Sequence, residues 1–396
     1  KHMNIRKKML VTGMLVCGLV FAGCSPMNRK ETKSDSWQEY VEKLKNIPPD
    51  QVNSHITEQV SDSLVVDADV EGLDGLKQYK LGNLKMTRHI FSDKKKLLDQ
   101  LMNRMPISNP TEPKERQTEY YLENGNEEKS LEVTSENTAD CLQVRDSYMI
   151  GSLLGDSEYS YLGLDVNQEN MIENPKIDML NQDQDLQFMT VKEVRAETEN
   201  FLKETGITAE VNMKVYSAAE EKLQEIAQKV NKEREELPDA EPISVSDEYE
   251  GYVIGIYQVY KGVPVICYGV PNTVSNSSYG VEQKCSMFWT KDGIKDLTLR
   301  NVYDMGEEEK PQKILSVGNV LEKIEQQNQR TARKNQKERV VKIQLFYVPV
   351  HEDGENLNFT AKPVWYVISH VDGDEFTKIS VTVYDAVTGE VMPWKE

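Results

Sequence analysis

The arrangement in this sequence best placed to do chemistry is a thiol behind an apolar run. Cys24 follows a basic stretch (Arg6, Lys7, Lys8), an uncharged apolar run from Met9 to Val20, and then Phe21-Ala22-Gly23. Small residues at positions 22 and 23 fit a signal peptidase. The Cys24 thiol can take up diacylglycerol by nucleophilic attack before cleavage leaves it as the new N-terminus. The pattern predicts a bacterial lipoprotein signal over 1–23, with Phe21 where Leu is usual. An ordinary signal peptide and an uncleaved anchor are the competing readings. The apolar run is too short to cross a hydrocarbon core of ~30 Å.

With the leader gone and Cys24 lipidated, Cys141, Cys267 and Cys285 remain, too few for a disulfide framework. Cys267 and Cys285 stand equidistant from Asn276 in a Gly/Asn/Ser-rich connection, so a hairpin centred there would face them across two strands and could bridge them. Two buried thiols acting as small apolar groups are the alternative.

Other constellations point away from catalysis. Asp67-Ala68-Asp69-Val70-Glu71-Gly72 imitates the start of a calcium loop, but its twelfth position is Gln78, where a bidentate acid is needed. His55, His89, His351 and His370 lack metal-ligand spacing, and Ser92-Asp93-Lys94-Lys95 lacks the partner motifs of a Ser-x-x-Lys enzyme. No nucleophile elbow, phosphate loop or dinucleotide fingerprint occurs. The sequence therefore names no catalytic, cofactor-binding or metal residue, and a non-enzymatic protein without a cofactor is expected. Tyr252, Tyr257, Tyr260 and Tyr268 could line a binding surface or fill half-buried strand positions.

Removing residues 1–23 takes away Lys1, Arg6, Lys7 and Lys8 and no acid, so the net charge moves from −19 to −23. So acidic a surface repels phosphate backbones and anionic headgroups, which excludes nucleic acid as an expected partner and leaves membrane attachment to the lipid on Cys24. Each buried CH₂ contributes ~0.8 kcal/mol, and two or three chains anchor stably.

Periodicity supplies the elements that must position any site. Residues 24–60 are polar and Pro-punctuated, with a short amphipathic piece at Trp37, Tyr40, Val41 and Leu44, and read as a flexible tether. Leu64 to Val70 and Gln78 to Arg88 predict strands, and Ser92 to Met105 a helix. Thr190 and Glu193 form a capping box, and Ser217 with Glu220 repeats the spacing. The helices they open precede a strand-rich run with a Lys261-Gly262 turn. A helix near Ser316 to Gln326 precedes three strands, the last closing at Asp385 to Gly389.

The expected fold class is α+β, with antiparallel sheets each packed on helices. The expected domains are 61–185, mixed α and β, then two helix-plus-sheet units at 186–305 and 306–396.

Trp365-Tyr366-Val367 and Val383-Tyr384-Asp385-Ala386-Val387-Thr388-Gly389-Glu390-Val391 resemble the close of a PepSY domain. The doubled helix-sheet pattern resembles the extracytoplasmic YycH/YycI-type regulators of a cell-wall sensor kinase. With the lipobox and Val65 to Glu71, the chain resembles clostridial predicted lipoproteins. The resemblance implies a regulatory protein on the outer face of the cytoplasmic membrane, binding or regulating an envelope protein. A ligand-binding lipoprotein delivering a peptide or wall fragment, and an enzyme with a dispersed site, are the alternatives.

Overall fold

The computed structural model describes residues 33–91, 94–104, 114–116, 119–124, 127–134, 141–145, 179–234, 242, 245, 249–265, 284–300, 302–331, 336–351, 357–372 and 377–392. Among them nineteen strands and five α-helices give a mixed α+β fold in which strands predominate.

Strict two-residue alternation builds the first sheet. In β2 (Leu64–Glu71), Leu64, Val66, Ala68 and Val70 are buried, while Val65, Asp67, Asp69 and Glu71 take the other face. The sheet order is β1 (His55–Gln59), β2, β17 (Lys337–His351), β18 (Asn358–Asp372), β4 (Leu84–Arg88) and β15 (Tyr303–Glu308), with β19 (Thr377–Asp385) also on β18. One face packs against two helices, α1 (Lys33–Asn46) and α5 (Val317–Thr331). Trp37, Val41 and Leu44 from α1 and Val317, Val320, Leu321 and Ile324 from α5 bury themselves with Ile343, Leu345, Tyr347, Trp365 and Val367. The other face carries a smaller apolar cluster of Phe346, Val348, Val364, Tyr366, Ile368 and Val383.

The second sheet has ten strands: β5 (Lys114–Arg116), β6 (Glu119–Asn124), β7 (Glu127–Thr134), β8 (Cys141–Arg145), β14 (Gly293–Arg300), β13 (Lys284–Thr290), β11 (Gly251–Tyr260), β10 (Val211–Ala218) and β9 (Asn181–Gln182) in that order, with β12 (Val263–Pro264) also on β11. Helices cover both of its faces. Tyr252, Ile254 and Met287 pack with Val194, Phe201 and Leu202 of α3 (Val191–Glu204) and with Leu97 and Leu101 of α2 (Lys94–Met102). Val253 and Phe288 point the opposite way, onto Leu223, Ile226 and Ala227 of α4 (Glu220–Arg234). A two-stranded ladder of β3 (Lys80–Leu81) and β16 (Gln312–Lys313) completes the described strands.

Local signals hold where the chemistry is local. Thr190 accepts from the Glu193 amide at 3.2 Å and Glu193 accepts from the Thr190 amide at 2.8 Å, closing the capping box. Lys261 and Gly262 have φ of 54° and 79°, the pair of positive angles that a tight hairpin turn between twisted strands requires. Asp385 accepts from the amides of Val387 at 2.9 Å and Thr388 at 2.8 Å, and Gly389 sits at φ 70°.

Three expectations are corrected. The segment read as a tether is packed from residue 33 onward: α1 lies on α5, with Trp37 Nε1 donating to Glu325 at 2.9 Å and Lys45 paired with Glu322 at 3.3 Å. Its few apolar residues fall on one helical face, and that stripe outweighs the polar average. Antiparallel pairing is not universal, because β2 runs parallel to β17, pairing Val66 with Val340 and Glu71 with Gln344. This pairing draws residues from both ends of the chain into one sheet, across boundaries placed at 60/61 and 305/306. Finally, Ser217 caps nothing: it lies in β10, and its hydroxyl donates to the Gln184 carbonyl.

Candidate functional site

The two sheets meet along β11, β12 and β15. Gln258, buried in β11, accepts from the Tyr303 amide at 2.8 Å and donates to the Tyr303 carbonyl at 2.6 Å, so a side-chain amide stands in for a paired strand of the other sheet. Val265, just beyond β12, forms a bridge with Tyr347 of β17. Glu308 accepts from the Gly82 amide at 2.9 Å and from the Lys261 ammonium, which raises the lysine pKa above its ordinary range. A Cβ on Gly262 would stand 2.0 Å from the Asp74 carbonyl oxygen, so only glycine lets the Lys261-Gly262 turn and the 72–75 loop touch.

Above this fixed contact lies a cavity of about 350 Å³ between the sheets. One wall comes from the first sheet and its loops: Asp50, Ser54, Glu71, Asp74 and Gln344. The facing wall is Asn212 and Lys214 of β10 with Tyr257 of β11. Period two explains the set. Glu71 and Gln344 are direct neighbours across the parallel β2–β17 ladder, both on the face away from α1 and α5, as Asn212 and Tyr257 are partners across β10–β11.

The electrostatics of the first wall are uneven. Asp50 is paired with Lys77 at 3.0 Å and Glu71 with Lys342 at 3.5 Å. Asp74 is exposed at the rim. Gln344 is only 2% exposed, and its Oε1 is buried with no hydrogen-bond partner. Such an acceptor costs on the order of 1–3 kcal/mol until something donates to it. The cavity volume and convergent polar groups suit a bound molecule. A smaller hollow of about 190 Å³ lies at the β4–β15 irregularity beside Asp304 and Phe359.

The residues singled out in the sequence distribute as follows. Tyr257 lines the cavity. Tyr252 instead donates from its buried hydroxyl to the Met189 carbonyl at 2.6 Å and accepts from the Leu186 amide at 2.7 Å. Tyr260 stacks edge-on against Tyr347. Asp67 and Asp69 project from a strand rather than a loop, and His55 bridges them from β1. Cys285 is buried in β13. Cys24, Cys267 and Tyr268 lie outside the described residues, and with them the expected lipidation site and the Cys267–Cys285 bridge. Among the described residues no group of three or more His, Cys, Asp or Glu side chains is placed to hold a metal, and no helix is long and apolar enough to cross a membrane. Asp50, Ser54, Asp74, Asn212, Lys214 and Gln344 carry no motif. They come from segments far apart in sequence, and only the weak signal of polar residues flanking glycines at 71–75 and 261–262 touches the site.

A solved structure is similar to nearly the whole chain. It is an uncharacterized protein from Eubacterium rectale ATCC 33656, with a TM-score of 0.62 and 17% identity, covering 91% of this chain and 99% of its own. At that identity the likeness shows the fold alone. No family model matches the chain, and no curated protein matches it.

Proposed function

We propose that the chain is a lipoprotein held by Cys24 on the outer face of the cytoplasmic membrane, and that it works by binding an envelope component in the cleft between its two sheets. The carrying observation is a 350 Å³ cavity on which polar side chains converge from different sheets, Glu71 from one and Asn212, Lys214 and Tyr257 from the other. Beneath the cavity the Gln258–Tyr303 hydrogen bonds and the Val265–Tyr347 bridge tie the two sheets together. The basic stretch, apolar run and Cys24 support the location. The PepSY-like and YycH/YycI-type resemblance belongs to the same proposal: α5 followed by β17, β18 and β19 supports a regulatory module that shares its sheet with N-terminal strands.

The test is a photo-crosslinking residue at Asn212, exposed on the cleft wall, with Asn200 on the outer face of α3 as the matched control. In cells, a single reproducible adduct at position 212 and none at 200 is the expected result. Equal adducts at both positions, or none at 212, would remove the cleft from the account.

A further inference from the structure

The first sheet ends in a regular, unguarded strand edge, and we infer that this edge, β1, pairs with the same strand of a second copy of the chain, antiparallel and centred on Thr57. β1 stands last in the sheet order, and among the described residues β2 is its one neighbour. The Val70 amide donates to the Ser54 carbonyl at 2.8 Å and the Val60 amide to the Leu64 carbonyl at 3.1 Å. In an antiparallel ladder such bonded pairs recur every second residue, so Ile56 and Glu58 also turn their backbone groups toward β2. His55, Thr57 and Gln59 turn theirs outward. All three residues are exposed, and among the described residues no hydrogen bond reaches their backbone N–H or C=O.

Natural edges are blunted by Lys, Pro or a bulge. His55-Ile56-Thr57-Glu58-Gln59 holds neither residue, and its register runs unbroken from His55 opposite Asp69 to Gln59 opposite Val65. The outward residues are symmetric about Thr57, which makes the edge complementary to itself. Thr57 meets Thr57 of the second copy and His55 meets its Gln59, so every outward N–H and C=O finds a counterpart. Cross-strand Thr pairs are favourable, and Glu58 falls opposite Ile56 of the second copy; a register centred on Glu58 would set that carboxylate against itself. The net charge of −19 opposes contact little at this seam, because His55 already engages Asp67 and Asp69. Strands ~4.8 Å apart also hold the two Asp67 carboxylates about 14 Å from each other, beyond the ~8 Å screening length of physiological salt.

A strand edge is an interface of the small, transient class, so the test traps it in cells. The full chain would carry Thr57→Cys or Gln59→Cys and be oxidised with diamide, the parent chain serving as control for its own cysteines. Opposed residues of a hydrogen-bonded pair have Cα atoms ~5.5 Å apart, within reach of a disulfide, whereas the two Gln59 positions lie ~14 Å apart along the strands, out of reach. Thr57→Cys is expected to give a disulfide-linked dimer, and Gln59→Cys none above the parent level. Adding Gln59→Pro to Thr57→Cys should return it to the parent level. Proline there removes an outward N–H and no bond between β1 and β2, so the melting temperature should stay that of the parent.

No dimer from Thr57→Cys overturns the pairing. Equal dimer from Thr57→Cys and Gln59→Cys would be random collision and overturns it as well. A disulfide between Thr57→Cys and a different protein, in place of its own copy, would give the edge to a foreign strand and remove the second copy as occupant. A dimer that Gln59→Pro leaves unchanged, at the parent's melting temperature, overturns backbone pairing. If the proline variant unfolds, the comparison of positions 57 and 59 decides alone.

Discussion

His55 reaches two carboxylates at once, Asp69 through Nδ1 at 2.7 Å and Asp67 through Nε2 at 3.2 Å. Both ring nitrogens can donate only in the imidazolium form. The hydrogen bond to Asp69, then that to Asp67, raises the His55 pKa above its ordinary value. With a raised folded pKa, the stabilising contribution is complete below the unfolded value of about 6.5 and fades as pH rises through the folded one. Thermal unfolding of the parent chain and His55→Gln between pH 5.5 and 9 should therefore show the gap in melting temperature widest at the acidic end. A gap that grows toward pH 9 would be the wrong sign. His55 also marks what sequence conceals: its position in β1 opposite two acids follows from hairpin register, which a polar, Pro-punctuated composition does not display.

Helix α1 lies so close to α5 that a Cβ on Gly318 would fall 2.5 Å from the Val41 carbonyl oxygen and 2.6 Å from the Lys45 amide nitrogen. Backbone atoms cannot step aside as a side-chain tip can, so Gly318→Val should undock α1. Overpacking typically costs about 1–3 kcal/mol. Urea unfolding should show a loss of that size, and limited proteolysis should cut first within 33–46. Unchanged stability with a protected α1 would mean the helices are not in that contact. Elements whose cause is local were legible: the Thr190–Glu193 box, the Lys261-Gly262 turn and the Asp385 turn each depend on residues within four positions. Docking of α1 was not. Trp37, Val41 and Leu44 signal an amphipathic helix, but only α5, near residue 320, supplies the surface that buries them.

Across the molecule, Gln258 ties one sheet to the other through two hydrogen bonds to the backbone of Tyr303. Gln258→Leu keeps the volume but leaves the Tyr303 amide and carbonyl without these bonds in a buried place. A loss of about 2 kcal/mol or more is expected from equilibrium unfolding. Faster amide exchange at 258 and 303 should accompany it; loss of stability with exchange unchanged there would move the effect elsewhere.

At the same scale, Cys24→Ala should release the chain from the membrane or leave it uncleaved, read by fractionation and intact mass. Retention with cleavage at the same site would contradict the lipid anchor. The parallel β2–β17 ladder and the cleft it creates were illegible for one reason: segments near 70, 212, 257 and 344 each look like ordinary strand or loop. Only long-range pairing gathers them, and periodicity measures no long-range pairing.

Amide hydrogen exchange, on the chain alone and mixed with solubilised envelope from cells that express it, tests the cleft most directly. Joint protection of 50–54, 71–75 and 261–264 is expected, three stretches remote in sequence that border one cavity. Protection confined to the outer faces of α3 and α4, or none while a complex forms, would contradict it.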